Sequence, residues 1–230
     1  MMGSLLLIRH GQASFGAADY DKLSPLGEEQ SRRLGHWLKR GGQIPDLVAV
    51  GSLRRHVRTA DLCVDAAGVN APRITIAGLD ELDHVEILAR HRPDLAAPDA
   101  LLAELERADD PHRMFQRLYV GAVERWIGGA FDGDYTRSWN EFRTAVMNGL
   151  QTLAAHEAST IWAFTSGGPI AVIVNALVGA PADQAFTLSW PLVNTSISRI
   201  TLGTRRSSLV SYNAWPHLEG ADEAHLITHR

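Results

Sequence analysis

Cysteine is almost missing from this chain of 230 residues: Cys63 stands alone, so an internal disulfide is excluded and a reducing cytoplasm is the expected compartment. Flanked by Leu62 and Val64 in a helix-like stretch, Cys63 reads as a packing residue rather than a nucleophile. Surplus positive charge is missing as well. Lys and Arg number 22 against 26 Asp and Glu, a formal charge of -4, so no global basic field exists to hold nucleic acid or an anionic membrane, and neither partner is expected. Any anion must be gripped locally. No apolar run approaches a membrane span, and Leu5 to Ile8 is too short for a signal-peptide core and runs into Arg9 rather than a small-residue cleavage site. Repeats and low-complexity linkers are lacking. The six tryptophans are scattered rather than interleaved with basic residues, which suits packing better than base stacking. What the chain does have is 45% hydrophobic residues, enough for one main core, and residues 1–230 are expected to form a single domain.

The order of patterns predicts an α/β fold: a doubly wound, mainly parallel sheet flanked by helices. Ser4 to Ile8 is a continuous apolar run, as in a central strand buried on both faces. Ser24 is a good N-cap, Pro25 suits the first helical turn, and Leu26, Leu34, Trp37 and Leu38 form an apolar stripe that stops at Gly41-Gly42. A second strand at Asp46 to Val50, a helix from Arg54 to Ala67 and a third strand at Arg73 to Ala77 follow. Strand signal then disappears, and about 83–158 is expected to be a helical lid inserted in the domain. It returns at Thr160 to Thr165, leads through Gly167-Gly168 into a helix at Pro169 to Val178, and ends in strands near Ser196 to Leu202 and Ser208 to Asn213.

In such a sheet ligands collect beyond the carboxyl ends of the strands. Four strand exits carry Arg9-His10-Gly11-Gln12, Leu53-Arg54-Arg55-His56, Asp80-Glu81 and Thr165-Ser166-Gly167-Gly168. Two arginines, a histidine, a carboxyl group and a hydroxyl are thus expected in one place. Helix N-termini after the second and fourth strands add unpaired N–H groups and partial positive charge, which favour a phosphate.

At these residues the sequence resembles the histidine phosphatase (phosphoglycerate-mutase-like) superfamily. Arg9-His10-Gly11 after the first strand, Leu53 to Ala60 opening a helix, Glu81 after the third strand, the Gly167-Gly168 turn and the late stretch Asn213 to Leu218 occur in its order and spacing. The resemblance implies a metal-independent phosphatase acting on a small phosphorylated substrate, with no cofactor. His10 would attack phosphorus and carry the phosphoryl group, which water then removes. Arg9 and Arg55 would hold the phosphoryl oxygens in the planar fork that suits them. Glu81 would protonate the leaving oxygen and later activate water. Gly11, Gln12, Ser14, Phe15, His84, Ser166 and Gly167 are the expected substrate contacts.

Two places depart from the superfamily pattern. Most members carry a second histidine immediately before the Gly-Gly turn, whereas this chain has Ser166, as in a branch with serine there. Asp83-His84-Val85-Glu86 replaces an aromatic and a glycine. If Glu81 and His84 open one helical turn, their spacing puts both on one face, and His84 partly replaces the absent ring. The loop Gln12 to Gly16 lacks the Trp-Asn pair typical of phosphoglycerate mutases, which tilts the reading from mutase to phosphatase. A mutase and a non-catalytic phosphate-binding protein remain the alternatives. His225 and His229, four apart, could share a helix face as metal ligands but have no third ligand of suitable spacing, so no metal is expected. Oligomeric state is left open.

Overall fold

A computed structural model describes residues 3–14, 21–203, 206–220 and 223–229. Two compact units arise, Met1–Glu81 with Ala145–Arg230, and Leu82–Thr144.

The first unit is built on a six-stranded sheet of β1 (Gly3–Arg9), β2 (Leu47–Val50), β3 (Arg73–Thr75), β4 (Thr160–Thr165), β5 (Ile197–Leu202) and β6 (Ser208–Ala214), in the order β3-β2-β4-β1-β5-β6. The four strands from β3 to β1 are parallel. β5 and β6 add an antiparallel edge. This mixed, mostly parallel sheet with its helices is the α/β fold expected from the sequence. The register pairs Arg9 with Thr165, so β1 and β4 end level with each other and their exits face the same edge.

Helices α1 (Pro25–Arg40) and α2 (Arg54–Ala67) pack together against the sheet. Leu6, Ile8, Val48, Val50, Trp162 and Phe164 meet Leu34, Leu38, Ala60 and Cys63 there in one buried cluster. Side chains alternate along a strand, so Leu5 and Leu7, equally buried, stand on the other face. Helix α7 (Gly167–Val178), which touches β1 and β6, is buried without a gap from Gly167 to Asn175. Ser24 caps α1 as expected, its Oγ accepting from the Gly27 N–H at 3.0 Å. Gly68, at φ 64°, closes α2 in the left-handed conformation that glycine adopts without strain.

In the second unit, among the described residues, the chain forms helices only: α3 (His84–His91), α4 (Pro98–Glu106), α5 (Pro111–Ile127) and the start of α6 (Trp139–Ala155). Asp83 and Asp110 cap α3 and α5 by accepting from Glu86 N at 2.9 Å and Arg113 N at 2.9 Å. Trp126, Trp139 and Phe142 form its aromatic core, with ring centroids 5.4 and 5.5 Å from Trp126.

Close contact of α1 with α2 depends on one missing side chain. A Cβ on Gly35 would lie 2.2 Å from the Cys63 carbonyl oxygen, on a backbone that cannot swing aside. Gly35→Ala should therefore push the helices apart at an overpacking cost of about 1–3 kcal/mol. Urea unfolding measures it, and an unchanged midpoint would contradict this account of the α1–α2 contact.

Candidate active site

The site starts where β1 runs out. His10 is 4% exposed, its N–H donating to the Thr165 carbonyl of β4 at 2.9 Å. Its own carbonyl accepts from Asn194 Nδ2 at 3.1 Å and from Thr195 N at 3.3 Å. Thr195 sits at φ 60°, a left-handed conformation costly for a β-branched residue, and its Oγ1 meets His217 Nε2 at 2.8 Å. The His10 ring is fixed from both ends. Nδ1 lies 2.7 Å from the Gly11 carbonyl oxygen, a pure acceptor, so Nδ1 carries the hydrogen and Nε2 the lone pair. Arg55 Nε donates to that Nε2 at 3.3 Å. Burial, then the positive charges of Arg55 and Arg9, hold the His10 pKa well below its ordinary value, so the ring is neutral.

Arg55 comes from the first turn of α2 and is 6% exposed. No side chain of the helix caps that end. Asp21 does so from outside: its carboxylate accepts from Arg54 N at 2.8 Å and from the Arg55 guanidinium at 2.8 Å. Thr59 ties α2 to the loop after β1, donating to the Arg55 carbonyl at 2.7 Å and accepting from Gly11 N at 3.0 Å. The loop lies flat on the start of α1, because a Cβ on Gly11 would be 2.4 Å from the Gly27 oxygen and one on Gly27 2.1 Å from the Gln12 oxygen. Gln12 is absorbed in this packing, its N–H donating to Gln30 Oε1 at 2.9 Å and its Oε1 accepting from Ser24 Oγ at 2.7 Å.

At the exits of β3 and β4 the chain brings Glu81 to the start of α7, where Glu81 Oε2 accepts from Gly168 N at 3.2 Å. Ser166 is the N-cap of α7 by position, yet its hydroxyl does not bond a helix N–H. It sits 2.6 Å from Nε2 of His56, a fully buried ring whose centroid lies 5.7 Å from that of His10.

Of the residues singled out in the sequence, His10 and Arg55 are in contact, Gly11 is bonded beside them, and Glu81, Ser166 and Gly167 gather at the start of α7. The Arg9 guanidinium, whose charge acts on His10, donates to the carbonyls of Leu192 and His229. Ser14 pairs through its backbone, its N–H donating to the Lys22 carbonyl at 2.8 Å. His84 opens α3 in the second unit, half-buried. Phe15 lies outside the described residues. Sequence reasoning missed Asp21, Thr59 and above all His56, although His56 directly follows Arg55 at one of the four strand exits.

Three buried histidines give the fold a pH dependence of definite sign. His10 and His56 are held well below the ordinary histidine value, and burial followed by the charge of Arg33 takes His217 down to about 3. Each is neutral when folded and binds a proton when unfolded. Their stabilising effect is therefore complete above about pH 6.5 and lost as pH falls toward the folded values, by up to about 1.4 kcal/mol per pH unit for each ring. Urea melts between pH 7 and pH 5 should show a steep loss of unfolding free energy. A flat profile would show that these rings are not neutral in the folded state.

The family model described as histidine phosphatase superfamily (branch 1) matches residues 5–214. A 2,3-bisphosphoglycerate-dependent phosphoglycerate mutase of Thermobifida fusca is 40% identical over 76 residues, a match that spans 30% of this chain and 30% of that protein. A phosphoserine phosphatase from Entamoeba histolytica, solved in complex with phosphoserine, shares the fold at a TM-score of 0.64 and 19% identity, over 94% of this chain and 100% of that one. A phosphoglycerate mutase from Bacillus anthracis does so at a TM-score of 0.64 and 15% identity, over 94% of this chain and 95% of that one. On its ordered motifs and on a family match running from β1 to the end of β6, the chain belongs to the histidine phosphatase superfamily.

Proposed function

We propose that this protein hydrolyses phosphate monoesters without a metal ion, through a phosphohistidine formed on His10. One observation carries the reading: His10 is buried, neutral and locked in the tautomer that leaves Nε2 free of hydrogen, with Arg55 Nε 3.3 Å from that atom. A neutral nitrogen lone pair beside a guanidinium is what in-line attack on a phosphoryl dianion needs. The cation attracts the group and neutralises charge on its oxygens, and the nucleophile already has its proton on the far side of the ring.

In the first step Nε2 bonds to phosphorus, the ester P–O bond breaks, and the leaving oxygen takes a proton from Glu81. In the second, water attacks phosphorus, the P–N bond breaks, and Glu81 recovers a proton from the water, so inorganic phosphate leaves and the enzyme returns to its first state. Asp21 holds Arg55 for this work, and the Gly167 N–H that opens α7, beside Ser166, offers a further donor. Arg9 contributes its charge to keeping His10 neutral. Gly11 keeps the loop close to α1, where Gln12 anchors it.

The mutase resemblance supports a second reading, transfer within one substrate, which needs a phosphoenzyme sheltered from water. Comparing phosphate release with isomerisation of a phosphorylated sugar acid separates the two.

The purified protein should turn over an aryl phosphate and acquire an acid-labile, base-stable phosphoryl label. His10→Ala should abolish the label and cost on the order of 10³-fold or more in kcat. Arg55→Lys, which removes the fork but keeps the charge, should cost about 10²-fold. Activity should survive a chelator. A chelator-sensitive rate, or full activity without His10, would sink the reading.

A further inference from the structure

His56 takes no part in the steps above, yet the fold is shaped around it. The ring is fully buried in the first turn of α2. Nε2 is 2.6 Å from Ser166 Oγ at the exit of β4, and Nδ1 is 3.8 Å from Asp80 Oδ1 at the exit of β3. Asp80 is held in turn, its carboxylate accepting from Ser52 N at 2.5 Å and Ser52 Oγ at 2.6 Å. Gly51 leaves the space in which ring and carboxylate meet: a Cβ there would lie 2.3 Å from His56 Nδ1 and 2.7 Å from Asp80 Oδ1. The ring thus lies, one ring away from His10, between a hydroxyl bonded to Nε2 and a carboxylate that faces Nδ1 from beyond hydrogen-bonding distance.

The proton positions in this chain follow from electrostatics. A carboxylate oxygen facing Nδ1 repels a lone pair and favours a hydrogen there, so in the resting protein Nε2 accepts the Ser166 hydroxyl. Burial and the charge of Arg55 keep this ring neutral. A phosphoryl dianion arriving beside Ser166 reverses the demand, because it needs the hydroxyl as donor and repels its lone pairs. Both ends are satisfied only if the ring gains a proton: Nδ1–H toward Asp80, Nε2–H to Ser166 Oγ, and the Ser166 O–H to a phosphoryl oxygen. The titratable and charged groups around the ring, among the described residues, are Arg55 on its own helix, the neutral His10 after β1, Asp80 after β3, and Glu81, which follows Asp80 and reaches the start of α7.

We propose that His56 is a positioning residue of the phosphoryl site, acting through Ser166 and taking up a proton from solvent when a phosphoryl dianion binds. This rests on the phosphate-handling reading above, which concerns His10 and Arg55. It adds a second candidate, beside His84, for the compensation of Ser166: this imidazole comes from α2 and serves through the hydroxyl.

Tungstate tests this, being a tetrahedral dianion near neutral pH that brings no proton of its own. Titration calorimetry at pH 7.5 in two buffers of different ionisation enthalpy reads the protons taken up per anion bound. The expected result is uptake approaching one proton in the native protein, with most of it lost in His56→Gln, whose amide can still bond Ser166, and in Ser166→Ala, which leaves the ring in place. Should His56→Gln fold poorly, loss of uptake in Ser166→Ala still decides the matter. Tungstate bound with no proton uptake overturns the proposal while leaving the proposed phosphatase intact. Uptake that persists in both variants and vanishes in His10→Ala assigns the proton to His10 and also overturns it. A native protein that neither binds tungstate nor hydrolyses an aryl phosphate removes the reading beneath it.

Discussion

Desolvation of one imidazole organises this protein. His10 follows a strand in which Leu5 to Ile8 are completely buried, and it meets almost no water. With no anion bound, a buried cationic imidazole among arginines is disfavoured, so burial and neighbouring positive charge together select the neutral form. The Gly11 carbonyl then decides which nitrogen keeps the hydrogen. Everything else in the site answers to that choice. Nε2 must face the crevice, the guanidinium that meets it must come from a neighbouring helix, and backbone groups of β4, Asn194 and Thr195 must satisfy the strand end around it.

Holding a ring so firmly needs very short distances between backbones. Gly11 and Gly27 each occupy space into which a Cβ would collide with main chain, and Gly35 does the same between α1 and α2. The consequence is a scaffold with little freedom to relax: the loop after β1 is clamped to α1 by Gln30 and Ser24 and to α2 by Thr59. Thr195 in a left-handed conformation is strain of the kind that persists where the surroundings over-determine the backbone, here under the hydrogen bonds to Arg9, His10 and His217.

The strands β1 and β4 were legible because they are continuous apolar runs ending in polar loops, and α1 because its cap, first-turn proline and terminal glycines all agree. Grouping residues by strand exit brought His10, Arg55, Glu81 and Ser166 onto one shortlist, since in a parallel sheet that edge is common to all exits. What stayed hidden is what depends on long-range side-chain direction. Asp21 caps a helix that begins more than thirty residues later, and no local pattern announces that. The carbonyls that Arg9 meets, of Leu192 and His229, lie far along the chain, and no local pattern announces them either. Ser166 could be read as an N-cap from its place before Gly167; only the fold reveals that its hydroxyl is engaged by a histidine 110 positions away.

The first turn of α2 shows how much chemistry a single helix end can distribute. Successive helix residues differ by about 100° in direction, so Arg55 and His56 cannot serve the same neighbour. Arg55 reaches the exit of β1 and His56 that of β4, which fixes α2 in rotation about its axis as well as in position. No acidic side chain within that turn caps its N–H groups. Asp21 does so from outside, its charge paired with Arg55. One oxygen takes the Arg54 N–H, and the other holds the Arg55 guanidinium by its outer nitrogen, leaving Nε directed at His10. The carboxylate that completes the helix is thus the one that aims the arginine, and what α2 offers a phosphoryl group is the Arg55 side chain rather than its own N–H groups.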